Sequence, residues 1–351
     1  MQFYDFKEIE VRVILIGVQT EQDEDVAASL DELEELAATA GAVTVGKVIQ
    51  NREAVHPGTY IGKGKIEEVA ALLAAYDANG VICDDELSPA QMNNLERELD
   101  CKVMDRTLLI LDIFAGRATT SEGKIQVELA QLRYRSARLV GLRESLSRLG
   151  GGIGTRGPGE KKLETDRRLI RTRISALKAE LAQVEKHREL IRGKRTRGNL
   201  KTAAIVGYTN AGKSTLLNTL TGAGILAEDK LFATLDPTTR VLELKDGQQI
   251  LLTDTVGFIR KLPHHLVEAF KSTLEEAKYA DYIIHVVDAS NPQAELQMHT
   301  VYETLRELGA TGKKIITLLN KQDQVQGEAL RDFRADYTVK CSARTGEGLE
   351  E

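Results

Sequence analysis

The sequence predicts an α/β protein in three parts. These are a small N-terminal α/β domain over residues 1–120, an antiparallel helical hairpin over residues 121–199, and a doubly wound α/β domain over residues 200–351. Three observations support this. Apolar strand-like runs alternate with helix-like runs in the outer parts, two long helical segments flank a glycine-rich stretch in the middle, and polar motifs follow strands in the last part. With 351 residues, 42% hydrophobic and 28% charged, the chain is long enough for this organisation.

The N-terminal domain is predicted from a regular alternation of apolar runs. Strands are expected at 11–18, 42–49, 80–83 and 102–104, and helices at 25–40, 65–76 and 89–99. Such a rhythm is typical of a mostly parallel sheet. Gly62-Lys63-Gly64-Lys65 joins a strand to a helix. A tight turn is the favoured interpretation of that stretch, and a second nucleotide site in this domain stays open.

The middle of the chain is predicted to be a helical hairpin with a glycine-rich tip at residues 150–160. Apolar seams with steps of four and three run through Ile125, Leu129, Leu132, Ser136, Leu139, Arg143 and Leu146, and through Ile170, Ile174, Leu177, Leu181, Val184, Arg188 and Ile191. Between them, residues 150–159 hold six glycines and a proline, which must break the helix. The two seams are therefore expected to pack against each other.

The hairpin is the basic part of an otherwise acidic chain. Residues 121–200 carry 20 Lys and Arg against 9 Asp and Glu, a net charge of +11, whereas the whole chain carries −6. A solvated helical surface is one explanation, but RNA binding is favoured because the basic excess coincides with the glycine-rich loop. Arginines can contact phosphates and stack on bases. The residues expected to contact RNA are Arg156, Lys161, Lys162, Arg167 and Arg168.

A phosphate-binding loop is predicted after the first strand of the C-terminal domain. The pattern G-x-x-x-x-G-K-[ST] lies between a strand-like run at 202–206 and a helix-like run at 215–220. Backbone N–H groups and the helix N-terminus would hold phosphates, Lys213 would reach the outer ones, and the Ser214 hydroxyl would bind Mg²⁺. The expected nucleotide contacts are Gly207, Tyr208, Thr209, Asn210, Ala211, Gly212, Lys213, Ser214 and Thr215.

Two more motifs stand at strand ends further along the chain. In Asp254-Thr255-Val256-Gly257, the aspartate would hold Mg²⁺ through a water and the Gly257 amide would bind the terminal phosphate. In Asn320-Lys321-Gln322-Asp323, the Asp323 carboxylate would accept from guanine N1–H and the exocyclic amine. Adenine lacks that pair of donors, so rejection of ATP by roughly four orders of magnitude is expected.

The remaining contacts of the pocket follow from neighbouring segments. Asn320 would brace the pocket and the stem of Lys321 would cover the base. After a last strand, a backbone N–H of the segment Ser342-Ala343-Arg344 would meet guanine O6. The segment Phe232-Ala233-Thr234-Leu235 and the four residues after it would carry a threonine that binds Mg²⁺ and senses the terminal phosphate. Periodicity leaves Thr234, Thr238 and Thr239 as candidates.

Together these motifs resemble the HflX-type GTPases, of the Obg-like branch of translation-associated P-loop GTPases. The resemblance rests on G-Y-T-N-A-G-K-S, F-A-T-L-D-P-T-T, D-T-V-G-F and N-K-Q-D, and upstream on residues 59–65 and 150–162. It covers essentially the whole chain and implies that Thr234 is the magnesium-binding switch threonine, with Lys213 and Gly257 beside it at the catalytic centre. It also implies binding to the large ribosomal subunit and its rRNA, and splitting or rescue of stalled ribosomes, with the tip reaching toward the peptidyl transferase centre.

The residue after Gly257 bears on the rate of hydrolysis. Many related GTPases carry a water-orienting glutamine there, but this chain has Phe258. Either Phe258 is merely packed, or the missing group comes from elsewhere; a partner-supplied arginine is worth about 10³ to 10⁵ in rate. Slow hydrolysis, stimulated by ribosomes, is therefore expected. Asn210 is a candidate to hold K⁺ near the phosphates, although asparagine is also a common turn residue.

Composition limits the remaining functional classes. Three widely spaced cysteines suit a reducing cytoplasm and show no metal-ligand spacing, the N-terminus is not a signal peptide, and no membrane span is expected. We expect a monomer whose last helix, starting near Gly346, is truncated. A large-subunit assembly GTPase, or an RNA-remodelling module with separate ATP use, are the alternative functions.

Overall fold

The structure is a computed structural model that describes residues 10–21, 25–149, 158–197, 200–222, 230–262, 271–325 and 330–350. It contains two compact units. The first comprises residues 1–113 and 131–175, and the second comprises residues 114–130 and 176–351. The three-part division at residues 120 and 200 stays a prediction, because each of the two long helices contributes to both units.

The first unit contains a parallel four-stranded sheet. Its strands are β1 (Val11–Gln19), β2 (Ala42–Asn51), β3 (Gly80–Cys83) and β4 (Lys102–Asp105), in the order β2-β1-β3-β4. Its helices are α1 (Val26–Thr39), α2 (Lys63–Ala75) and α3 (Pro89–Leu99). Local signals set their starts: Asp25 accepts from the Ala28 N–H at 3.1 Å, and Ser88 and Gln91 form a capping box around Pro89. The predicted α/β fold class is confirmed here.

One helix in this part of the chain is absent from the sequence prediction. Helix α4 (Arg106–Arg117) follows β4 directly, and the Asp105 carboxylate accepts from the Leu108 N–H at 2.8 Å. Leu109, Ile110 and Leu111 are all buried. Because the helix is covered on more than one face, its apolar residues form a continuous run without the helical period that would have revealed it.

Two long helices form the predicted hairpin. Helix α5 spans Ser121–Leu149 and helix α6 spans Pro158–Arg197. Glu122 near the start of α5 pairs with Arg188 near the end of α6. Further along α5, Arg138 and Leu139 share a groove with Asp166 and Ile170 of α6. Residues later in α5 thus lie beside residues earlier in α6, as expected for an antiparallel pair. The glycine-rich tip at 150–157 lies outside the described residues.

The second unit is a doubly wound domain around a six-stranded sheet. Its strands are β5 (Lys201–Gly207), β6 (Thr238–Glu243), β7 (Gln249–Asp254), β8 (Tyr282–Asp288), β9 (Lys314–Asn320) and β10 (Tyr337–Lys340), and its further helices are α7 (Lys213–Thr221), α8 (Lys271–Tyr279) and α9 (Ala294–Glu307). The order is β10-β9-β8-β5-β7-β6, and only β6 is antiparallel to its neighbour. The carboxyl ends of β5, β7, β9 and β10 therefore lie at one edge, where such folds bind ligands.

The ends of this unit differ in detail from the sequence prediction. Strand β6 is absent from the sequence prediction, and it adds to the sheet at its edge, with Thr238 opposite Asp254 and Thr239 opposite Thr253. After β10, residues 343–350 form turns, so the truncated final helix stays a prediction. Within the described ranges, no helix has the length and apolar character that crossing a bilayer requires.

Candidate nucleotide-binding site

The phosphate loop joins the end of β5 to the start of α7. Gly212 caps α7 with a φ of 95°, a left-handed conformation that favours glycine. It also has no room for a side chain, because a Cβ there would lie 2.4 Å from Asn320 Nδ2. The structure brings six of the nine predicted phosphate contacts together, because Gly212 and the side chains of Thr209, Asn210, Lys213, Ser214 and Thr215 line one cavity. Gly207, Tyr208 and Ala211 are not among its lining residues.

Lys213 is held inside the loop by backbone carbonyls. Its Nζ donates to Tyr208 O at 2.7 Å and to Gly207 O at 3.2 Å. Burial lowers the pKa of the lysine to about 8, and the charge of Asp254 opposes that shift. The ammonium group thus sits in a low-dielectric loop with only neutral acceptors, so a phosphate arriving there would gain a strong interaction.

Three oxygen-bearing side chains converge beside the phosphate loop. Ser214 Oγ lies 2.7 Å from Asp254 Oδ2 and 2.8 Å from Thr234 Oγ1. Asp254 is fully buried, which raises the pKa of its carboxyl. Its Oδ1 has no hydrogen-bond partner within the described part of the chain. The other two candidate threonines, Thr238 and Thr239, lie in strand β6 instead.

Gly257 closes the cavity against the phosphate loop. A Cβ at Gly257 would lie 2.8 Å from Thr209 Cα and 2.9 Å from Lys213 Nζ. The adjoining Thr255 turns its hydroxyl inward, to Ile205 O at 2.8 Å, and Val256 is buried. These two residues therefore anchor the segment, while Gly257 lets it approach the loop.

The predicted base-recognition residues surround the end of β9. Asn320 links two loops: its Nδ2 donates to Ala211 O and its Oδ1 accepts from Ala343 N, both at 2.8 Å. Lys321 has a left-handed backbone and its Nζ lies 2.7 Å from Asp288 Oδ2. Gln322 turns back, donating from Nε2 to Leu319 O at 3.1 Å.

Asp323 is exposed in the turn that follows β9. A hydrogen bond from Ser342 is the main cause of the lowered pKa of its carboxyl, and the charge of exposed Arg344 contributes in the same direction. Ser342 itself is buried. The carboxylate is therefore kept ionised and available as an acceptor.

The switch segment packs against the end of α4 within the same unit. Leu231, Phe232 and Leu235 are buried, and the Phe232 ring meets Phe114 edge to face at 4.7 Å. Ala233 and Thr234 are half-buried and line the phosphate cavity. The segment thus has an apolar side that anchors it and a polar side that faces the phosphate site.

Three residues at the site escaped the sequence analysis. Lys230 lines the phosphate cavity, Asp288 holds Lys321, and Asp236 accepts hydrogen bonds from the segment before α5. Asp236 stands inside a recognised motif, Lys230 lies two residues before that motif and Asp288 ends an apolar strand, but charged residues at such places are common on any surface.

Comparison with known proteins matches this architecture along the chain. Residues 27–115 match the family described as "GTP-binding GTPase N-terminal", residues 117–195 match "GTP-binding GTPase Middle Region", and residues 202–321 match "50S ribosome-binding GTPase". The chain is 71% identical over 351 residues to "GTPase HflX" of Lacrimispora saccharolytica, covering all of this chain and 83% of that protein. The chain belongs to the HflX family of GTPases.

More distant HflX relatives and a solved structure agree with this membership. Escherichia coli "GTPase HflX" is 45% identical, over 97% of this chain and 80% of that protein. The fold is similar to the crystal structure of the SsGBP and GDP complex, with a TM-score of 0.54 and 28% identity, over 97% of this chain and 95% of that one. The predicted fold class and GTP-hydrolysing activity are confirmed, and the protein binds and hydrolyses GTP. The roles assigned to individual site residues stay predictions.

Replacing Gly257 with alanine is expected to slow GTP hydrolysis by about 10²-fold, the usual cost of one displaced preorganised donor. The added Cβ would press on the Thr209 backbone, which cannot move away as a side-chain tip can. GDP binding should change little, because GDP lacks the terminal phosphate. Single-turnover hydrolysis and GDP titration would measure both quantities.

Gly116→Ala is the matched control. Gly116 lies in α4, and a Cβ there would meet no atom within 4 Å. This variant should hydrolyse GTP like the wild type. Wild-type turnover by Gly257→Ala would contradict the assigned role of the Gly257 amide.

Proposed function

We propose that this HflX-family protein is a GTP-controlled factor that binds the large ribosomal subunit and its rRNA in the cytoplasm and splits or rescues stalled ribosomes. One observation supports the link between nucleotide and RNA. Asp236, two residues after Thr234 in the switch segment, accepts hydrogen bonds from the residues just before the basic helix α5. The description of the matching family, "50S ribosome-binding GTPase", supports the partner.

The nucleotide-facing half of this link is the phosphate cavity. Backbone N–H groups of the phosphate loop and Lys213 bind the phosphates, the Gly257 amide binds the terminal one, and Asp323 accepts from guanine. Asn320 keeps the phosphate and base loops in register through its two 2.8 Å hydrogen bonds. The segment 342–344 supplies the remaining contact to guanine O6.

The cluster of Ser214, Thr234 and Asp254 fits Mg²⁺. Magnesium prefers hard oxygen ligands and commonly uses one or two carboxylates together with substrate phosphates. Two hydroxyls and a carboxylate with one uncommitted oxygen match that set. When bound, Mg²⁺ would neutralise charge on the phosphate oxygens. Ser214 and Thr234 would be direct ligands and Asp254 would act through water. The K⁺ interpretation of Asn210, which has a left-handed backbone, stays a prediction.

The RNA-facing half begins with a set of bonds that we call the Asp236 clasp. Asp236 Oδ2 accepts from Thr119 N at 2.9 Å, from Thr119 Oγ1 at 2.7 Å and from Thr120 N at 2.9 Å, while Oδ1 accepts from Thr120 Oγ1 at 2.6 Å. A Cβ at Gly123 would lie 2.4 Å from Oδ1, so the first turn of α5 approaches closely. A shift of Thr234 on Mg²⁺·GTP binding would therefore pull on α5.

The candidate RNA contacts lie beyond the clasp, on the basic hairpin. Arg168 of α6 is exposed and Arg167 is half-buried. Lys161 and Lys162 belong to the same helix, and Arg156 lies outside the described residues. All five would contact rRNA, because they are positively charged and lie in or close to the glycine-rich segment in sequence.

Purified large ribosomal subunits are expected to raise the GTP turnover of this protein by roughly tenfold or more, since a partner-supplied group can contribute far more than that. Stimulation is expected because the Phe258 side chain has no hydrogen-bonding group that could orient the attacking water. Turnover would be measured with and without subunits, and sedimentation of intact ribosomes with a non-hydrolysable GTP analogue would show whether they split. Equal turnover in both conditions would reject the proposal.

A variant lacking residues 150–159 serves as control for this experiment. It should keep basal GTP turnover, since the phosphate loop is remote in sequence, but lose both stimulation and splitting. Binding to immature large subunits in place of intact ribosomes would instead support an assembly role.

A further inference from the structure

Phe258 leaves GTP hydrolysis without a polar side chain in the position after Gly257. Its backbone is fixed on the phosphate loop, since its N–H donates to Gly207 O at 3.1 Å and its carbonyl accepts from Thr209 N at 2.8 Å. Its side chain is 1% exposed. The ring is therefore packed and cannot turn a hydrogen-bonding group toward water, so another group has to orient the attacking water.

The Thr209 hydroxyl is an unused polar group at the same place. Thr209 lines the phosphate cavity and is 6% exposed. Among the residues that the structure describes, its Oγ1 has no hydrogen-bond partner. The hydroxyls of Ser214 and Thr255 are both engaged. A buried hydroxyl without a partner destabilises a protein unless a ligand completes it.

Thr209 lies next to Gly257, the residue expected to bind the terminal phosphate. A Cβ built on Gly257 would meet Thr209 Cα at 2.8 Å, Thr209 Cγ2 at 2.9 Å and Lys213 Nζ at 2.9 Å. Thr209 is thus next to the glycine segment and the lysine that flank the outermost phosphate in this kind of site. A third phosphate and its attacking water are expected beside this residue when GTP binds.

We propose that Thr209 is a water-positioning residue that replaces the missing glutamine. Its Oγ1 accepts a hydrogen bond from the attacking water and donates its own hydrogen to an oxygen of the γ-phosphate. The water oxygen bonds to the γ-phosphorus, the bond from that phosphorus to the bridging oxygen of GDP breaks, and both water protons leave on the released phosphate. Thr209 neither gains nor loses a proton.

The test compares Thr209→Val with Thr209→Ser in single-turnover hydrolysis without ribosomes. Valine keeps the shape and removes the hydroxyl, so the rate should fall by roughly 10²-fold, as for loss of one preorganised group. Serine keeps the hydroxyl and should stay within about threefold of the wild type. GDP affinity should be the same in all three proteins.

A second measurement separates positioning from packing. The wild type and Thr209→Ser should form a complex with GDP and aluminium fluoride, which mimics the planar phosphoryl group with its water, whereas Thr209→Val should not. Thr304→Val removes a remote hydroxyl, one that donates to Thr300 O at 2.8 Å, and should behave as the wild type. The proposal fails if Thr209→Val hydrolyses GTP normally, if both variants slow equally, or if GDP affinity falls with the rate.

Discussion

Asp323→Asn is expected to weaken GTP binding by about 10³- to 10⁴-fold and to make xanthosine triphosphate the preferred nucleotide. The carboxylate accepts hydrogen bonds from two guanine donors. A site built on such a pair loses orders of magnitude in affinity when one of the two hydrogen bonds cannot form. An asparagine amide offers one acceptor and one donor. Xanthine presents N1–H and a 2-oxo group, which match that pair.

The structure makes this substitution a clean test of base recognition. Asp323 is exposed, so the fold should tolerate the change, and its neighbours Asn320 and Lys321 keep their own partners. Calorimetric titration with GTP, xanthosine triphosphate and ATP would give the three affinities. Asp246→Asn, at an exposed aspartate that accepts from Gln248 N at 3.0 Å, is the control. Unchanged GTP affinity in Asp323→Asn would remove the argument for guanine selection.

Asp236→Ala is expected to abolish most of the stimulation by large ribosomal subunits while leaving basal GTP turnover within a few-fold of the wild type. The substitution removes all four hydrogen bonds of the Asp236 clasp, including two from backbone N–H groups before α5. Thr234 and the phosphate loop keep their own bonds. The nucleotide site should therefore work without transmitting its state to the helix.

The same variant has a consequence that does not depend on ribosomes. Losing four hydrogen bonds to exposed threonines at the start of α5 should lower the free energy of unfolding by about 1 kcal/mol. Chemical denaturation would measure this. Thr119→Val removes one of the four hydrogen bonds from the other side and should give a smaller loss of both stability and stimulation. Full stimulation in Asp236→Ala would show that the Asp236 clasp does not couple the nucleotide site to helix α5.

Much of the fold could be predicted because local signals agree with the global structure. Helix α3 was predicted at its observed bounds, since Ser88, Pro89 and Gln91 mark its start. Strand β6 was missed because it forms only by pairing with β7 at the edge of the sheet. Half of its residues remain exposed, so its sequence lacks the apolar pattern of a buried strand. Helix α4 was missed because burial on several faces erases periodicity.

The candidate site likewise has features set by local sequence and features set by contacts between distant residues. The sequence by itself determined the chemistry of the nucleotide pocket, because backbone geometry and hydrogen-bonding groups at fixed spacing on strand ends are local properties. Only the tertiary structure brought Thr234 within 2.8 Å of Ser214, buried the Phe258 ring, and joined Asp236 to Thr119 and Thr120 across more than a hundred residues. Those outcomes depend on which distant atoms become neighbours and lose contact with water, and no periodicity in a single chain encodes that.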